Sequence, residues 1–240
     1  MHTSTASRAA LLLMGLGFCL STAVAQEATI RKNLPQRLPT LPPIDSVTPT
    51  PMKGLFEVRV NGTELLYSDA NGDFVLLQGE LFDTRQRVNL TEARMNQLTA
   101  IAFKDLPLKD AVVTVRGNGS RKIAVFSDPN CGFCKRLERD LLKLNDVTVY
   151  TFVVAMLGPD SQTKARNIWC AAKPAEAYND WMIDGQNPPN QTCDTAALTR
   201  NLAFAQKHRI NGTPTSFLGD GTRIAGADFK AIERGLAAQK

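Results

Sequence analysis

Histidine is almost missing from this 240-residue chain: His2 lies at the extreme N-terminus and His208 is the other one. A Ser-His-Asp set or a histidine-rich metal site is therefore not on offer, and no glycine-rich phosphate loop or metal motif takes its place. The 28 Lys and Arg against 23 Asp and Glu give a formal charge of +5, but the basic residues are scattered, which leaves no nucleic-acid footprint. Long apolar runs are missing too. Leu11 to Leu20 is the best of them, and it falls short of the roughly 20 residues that a bilayer span needs.

That short run instead reads as the core of a removable secretory leader over residues 1–25. Arg8 supplies its charge, and Ala23-Val24-Ala25 supplies a small-residue cleavage site that fits better than lipid attachment at Cys19. A mature chain would start near Gln26, lose Arg8 and with it one charge, and keep Cys131, Cys134, Cys170 and Cys193. An even cysteine count in an exported protein permits disulfides, which persist in the periplasm and rarely in cytosol.

Cys131-Gly132-Phe133-Cys134 carries the chemistry. Two thiols one helical turn apart, just after the apolar run Ile123-Ala124-Val125-Phe126, form a dithiol–disulfide pair. If Ser127 to Asn130 make a loop and a helix starts near Cys131, the first sulfur lies at a helix N-terminus, where unsatisfied N–H groups and the helix dipole favour a thiolate. Cys131 is then the nucleophile, and Cys134, one turn further in, the resolving thiol. Lys135-Arg136 adds positive charge nearby. Asp128, before Pro129, reads either as an aid to proton transfer or as a turn feature.

Pro214, in Asn211-Gly212-Thr213-Pro214-Thr215, stands just before an apolar strand. Alone it reads as an ordinary strand-entry proline; beside a dithiol it becomes a candidate cis proline, next to backbone able to pair with an extended substrate. Cys170 and Cys193 lack CxxC spacing. They read as a structural disulfide or, with the dithiol, as a zinc site, although structural zinc usually takes two close pairs and this chain has one.

The organisation along the chain is α+β. Residues 26–53, rich in proline, read as an extended segment, and residues 54–88 as short strands with Asn61-Gly62 and Asn71-Gly72 turns. Such a small antiparallel sheet, unstable alone, invites dimerisation. Residues 89–110 read as a linker helix, and residues 111–240 as strands alternating with helices in a mixed sheet covered on both faces.

Several segments together resemble the periplasmic protein-disulfide isomerases of the DsbC/DsbG type, most closely the DsbC branch. They are Pro51-Met52-Lys53-Gly54-Leu55, Leu76-Leu77-Gln78-Gly79-Glu80-Leu81-Phe82-Asp83, Asn89-Leu90-Thr91-Glu92, the stretch Val125 to Cys134, Ile168-Trp169-Cys170-Ala171 and Gly212-Thr213-Pro214. The resemblance implies a thioredoxin-fold catalytic domain with a helical insertion, preceded by a dimerisation sheet and linker helix. It further implies a homodimer with an apolar cleft. It carries the nucleophile to Cys131, the resolving thiol to Cys134, substrate contacts to Gly132, Phe133, Thr213 and a cis Pro214, and a structural disulfide to Cys170 and Cys193. No cofactor or metal is implied. The implied partners are misoxidised exported proteins and a membrane thiol reductant of the DsbD type. Phe133 stands where the isomerase usually has tyrosine, and Val125 where thioredoxin has a buried acid, so thioredoxin's proton-relay account does not transfer. A reductase for sulfenic acids or for cytochrome maturation, and a holdase chaperone, are the competing readings.

Overall fold

The computed structural model describes the backbone of residues 14–239 and side chains from Val24 onward. The chain divides into two compact units, Met1–Leu98 and Thr99–Lys240. Residues 1–13 of the expected leader lie outside the described residues. No described helix is long and apolar enough to cross a membrane.

In the first unit, α1 (Met14–Arg37) precedes β1 (Ile44–Pro49), β2 (Leu55–Val60), β3 (Glu64–Asp69) and β4 (Val75–Leu76), which form an antiparallel sheet in sequential order. β5 (Phe82–Asp83) pairs with β6 (Val88–Asn89), and α2 (Leu90–Leu98) closes the unit. Strand alternation builds the core: Phe56, Val58 and Val60 point inward from β2, while Glu57 and Arg59 do not. Asn61 and Gly62 both take positive φ, 51° and 79°, which this residue pair tolerates in the β2–β3 turn.

Two expectations need correction here. Residues 26–53 are not an extended segment, because α1 and β1 occupy most of it. Ile30 and Leu34, four residues apart on one helix face, are fully buried against Val47, Phe56, Val58 and Leu66. That burial outweighs the hydrogen bond that Pro35 cannot donate within the helix. Arg37 and Asn33 then tie α1 to the β3–β4 turn through the carbonyls of Asn71 and Gly72. Nor is 89–110 one linker helix. α2 stops at Leu98, and short 3-10 turns follow at Phe103–Asp105 and Leu108–Asp110. Pro107 disfavours helix at Leu106, and Ile101 and Leu106 are drawn into the second unit's core instead.

The second unit is a five-stranded mixed sheet. β7 (Val112–Arg116) and β8 (Arg121–Ser127) lead to α3 (Gly132–Leu141) and β9 (Val147–Val153). α4 (Pro159–Trp169), α5 (Pro174–Asn179), a π-helical turn at Asp180–Asp184 and α6 (Ala196–Lys207) form the helical insertion. β10 (Thr215–Leu218), β11 (Arg223–Ala225) and α7 (Phe229–Ala237) complete the unit. Strand order is β11-β10-β8-β9-β7, with β8 and β9 parallel and the other pairs antiparallel. Central β8 is apolar on both faces. Ile123 and Val125 pack with Leu137, Leu141, Ile232 and Leu236 of α3 and α7, whereas Ala124 and Phe126 pack with Phe152, Ala205 and Phe217.

Candidate active site

β8 ends at Ser127, and the chain turns through Asp128-Pro129-Asn130 into α3. Fully buried Asp128 fixes this turn. One carboxylate oxygen accepts from Asn130 N–H at 2.8 Å and from the Ser161 hydroxyl at 2.7 Å; the other accepts from the N–H groups of Met156 and Leu157 at 2.7 and 2.9 Å. Its carboxylate is thus taken up by these four donors, and toward the dithiol it is the Asp128 backbone that acts, lowering the Cys134 pKa.

Cys131 is the N-cap residue of α3, and its sulfur accepts from Cys134 N–H at 3.4 Å. The Cys131 thiol donates to the Thr213 carbonyl at 3.2 Å, so residues 82 apart in sequence meet where β8 and β10 run side by side. The Thr213–Pro214 peptide bond is cis. Cys131 is 7% exposed and Cys134 1%, whereas Phe133 between them is 64% exposed. A Cβ added at Gly132 would meet nothing within 4 Å, so that face of the motif is open. Of the sequence-derived residues, Cys131 thus meets Cys134 and Thr213, Gly132 and Phe133 are exposed beside it, and Cys134 and Pro214 are buried.

Cys170 and Cys193 do not join it. They are bonded to each other, with Cα atoms 5.5 Å apart. Lys135 lies over the Trp181 ring at 3.8 Å and Lys164 over the same ring at 4.5 Å, while the Trp181 indole N–H donates to the Pro129 carbonyl at 2.6 Å. Burial, together with the neighbouring Lys164 and Arg139 charges, lowers the Lys135 pKa. Arg136 is exposed.

Sequence reasoning missed a buried polar chain beneath the dithiol. The Tyr178 hydroxyl lies 2.7 Å from Ser127 Oγ and 3.0 Å from Glu138 Oε1, and the Ser127 side chain lowers the pKa of neighbouring Cys134. Burial pushes the Cys134 thiol up to about 12 and the Glu138 carboxyl up to about 7. Burial likewise raises the Tyr178 phenol. Glu138 was legible in principle, as a charge inside the apolar stripe Cys134, Leu137, Leu141 of α3. Tyr178 carried no such signal.

A CxxC dithiol at the head of the helix after the central strand, facing a cis proline at the head of the next strand, defines a thioredoxin-fold dithiol domain. Comparison with known proteins agrees: residues 108–233 match the Thioredoxin-like domain family, and residues 21–92 match the Disulfide bond isomerase protein N-terminal domain. The Bordetella avium "Probable thiol:disulfide interchange protein DsbC" is 41% identical over 197 residues, 82% of this chain and 69% of that protein. Its Bordetella pertussis counterpart is 46% identical over 184 residues, 77% of this chain and 64% of that protein. The chain therefore belongs to the DsbC family of thiol:disulfide interchange proteins. It spans just under two thirds of the Bordetella pertussis relative's length. A solved disulfide interchange protein from Neisseria gonorrhoeae is 38% identical, covers 55% of this chain and 98% of its own, and superposes with a TM-score of 0.51.

Proposed function

We propose that the protein exchanges and isomerises disulfides in exported proteins. The observation that carries this reading is the placement of Cys131, at the N-terminus of α3, against the Thr213 carbonyl and above buried Cys134. Cys131 as thiolate attacks a wrong disulfide, its sulfur bonds one substrate sulfur, and the other leaves as thiolate. A further substrate thiol then displaces Cys131, which isomerises the substrate. Alternatively Cys134 attacks Cys131, releasing reduced substrate and leaving an enzyme disulfide that a membrane thiol reductant of the DsbD type must reduce. Exposed Phe133 and the backbone at Thr213-Pro214 receive the substrate chain beside the sulfur.

The protein works in the periplasm, exported by the leader over residues 1–25, and the first unit holds two copies together. Edge strand β4 and exposed Phe74, Leu76, Leu77 and Phe82 support that reading of the first unit. In refolding of scrambled ribonuclease, Cys131→Ala is expected to abolish exchange and Cys134→Ala to accumulate mixed disulfides. Retained isomerisation by Cys131→Ala overturns the assignment. Full aggregation suppression by a double-cysteine variant, with wild type showing no exchange, would favour a holdase.

A further inference from the structure

Glu138, Tyr178 and Ser127 form a buried hydrogen-bonded chain drawn from α3, α5 and the end of β8, and its Ser127 end lies beside buried Cys134, whose pKa it lowers. A hydroxyl has a single proton to donate, so the two hydroxyls in this chain must point the same way. With one acidic proton shared between the chain's ends, two arrangements are possible. In one, the Cys134 thiol donates to Ser127, Ser127 to Tyr178, and Tyr178 to an ionised Glu138. In the other, a protonated Glu138 donates to Tyr178, Tyr178 to Ser127, and Ser127 to a Cys134 thiolate. They differ by one proton transferred between the chain's ends.

We infer that Glu138, acting through Tyr178 and Ser127, takes up the Cys134 proton when Cys134 resolves the mixed disulfide. The inference rests on the exchange reading above and deepens it. In the step, the Cys134 S–H bond breaks and its proton enters the chain at Ser127, while the chain delivers a proton to the Glu138 carboxylate. The Cys134 sulfur bonds Cys131, the Cys131–substrate bond breaks, and the substrate leaves with that electron pair, to be protonated by water. When the enzyme disulfide is later reduced, the Cys134 thiolate recovers its proton by the reverse path, so no other acid is consumed.

The surroundings fit this assignment. A thiol held near 12 is a poor nucleophile at neutral pH unless a nearby group takes its proton, and a carboxyl held near 7 is matched to that work. Tyr178 remains a neutral hydroxyl and passes a proton without becoming a charge. The groups facing Glu138 are Tyr178 from α5 and Arg116 from β7; those facing Cys134 are Ser127, Cys131, Thr213 and the Asp128 N–H. Arg116 also donates to the Leu141 carbonyl at 2.6 Å, which anchors its charge beside α3. Ser127 is the chain member that acts on the reacting sulfur. Glu138 and Tyr178 act through it as positioning residues.

Full-length reduced protein mixed with dithiobis-nitrobenzoate releases one chromophore on attack by Cys131 and a second on resolution by Cys134, which separates the two steps. In wild type the resolution rate should rise with pH through a midpoint near 7 and level off about one unit above it, as Glu138 becomes fully ionised. Glu138→Gln and Tyr178→Phe should each slow resolution at neutral pH by at least about tenfold, leave the first phase unchanged, and replace the plateau by a rate still rising toward alkaline pH. Tyr178→Phe decides alone if circular dichroism shows Glu138→Gln unfolded. Wild-type resolution rates and plateau in the folded variants overturn the relay, as does equal slowing of both phases. Absence of the first phase in wild type overturns the exchange reading itself, and the relay with it.

Discussion

The Asp128 carboxylate and the Ser161 hydroxyl meet at 2.7 Å with both residues fully buried, joining the loop that precedes the dithiol to the first turn of α4. Three backbone N–H groups fill the remaining acceptor positions of Asp128, so every partner is a donor. Asparagine would place its NH2 against one or more of them. Asp128→Asn is expected to lower stability by roughly 2 kcal/mol or more, as unpaired buried donors do, with Asp128→Ala at least as costly. Urea unfolding followed by circular dichroism measures this, and a change within about 0.5 kcal/mol, the scatter of ordinary surface substitutions, would contradict it.

Glu138 makes folding depend on pH in a definite direction. Its folded-state value of about 7 lies above the 4.5 of an unperturbed glutamate, chiefly through burial. Between these values the native state holds a proton that the unfolded chain has lost, so stability falls as pH rises through the window and is fully present only below it. Glu138→Gln keeps the shape without the ionisation. Its unfolding free energy should therefore gain on wild type by up to a few kcal/mol between pH 4.5 and 8. Parallel stability–pH curves for the two proteins would show that Glu138 ionises as freely folded as unfolded.

The dithiol and the strand before it were legible because each has a local signature, whereas Pro214 became a cis candidate only in company with the dithiol. Ile123 to Phe126 is apolar without alternation, as a strand covered on both faces must be, and Cys131-Gly132-Phe133-Cys134 names its own chemistry. α1 was hidden by composition. Pro35, Pro39, Pro42 and Pro43 speak for extended chain, while the helix is held by two residues, Ile30 and Leu34, whose partners lie in strands not yet formed at the level of sequence. Tyr178 was hidden by distance, its hydroxyl reaching Ser127 across 51 residues and Glu138 across 40. A short helix between Pro174 and a π turn has no periodicity to announce which side chain faces inward.

Leu34 tests the corrected reading of the first unit. It is 1% exposed, packs in the sheet's core, and lies where a Cβ on Gly72 would touch its side chain at 3.4 Å. Leu34→Ala should cost about 2–5 kcal/mol, the usual range for a large-to-small change in a packed core. An extended, unpacked 26–53 segment would give almost no effect. Denaturant unfolding of the full chain distinguishes them, with exposed Lys32→Ala as the control expected to change stability by less than about 0.5 kcal/mol.

The Cys170–Cys193 bond closes a segment of the second unit that holds α5 and the π turn, and with them Tyr178 and Trp181. A cross-link spanning 23 positions removes unfolded-state freedom worth about 3 kcal/mol in the chain-entropy picture. Cys170→Ala with Cys193→Ala should lose stability of that order. The two active thiols sit outside the closed segment, on the N-cap and first turn of α3, so attack by Cys131 should persist in the folded double variant. Resolution by Cys134 should slow, because the segment that presents Tyr178 to Ser127 is less firmly held. Unfolding curves and the two chromophore phases, read on the same preparation, check both statements, and unchanged stability would place the disulfide's contribution outside folding.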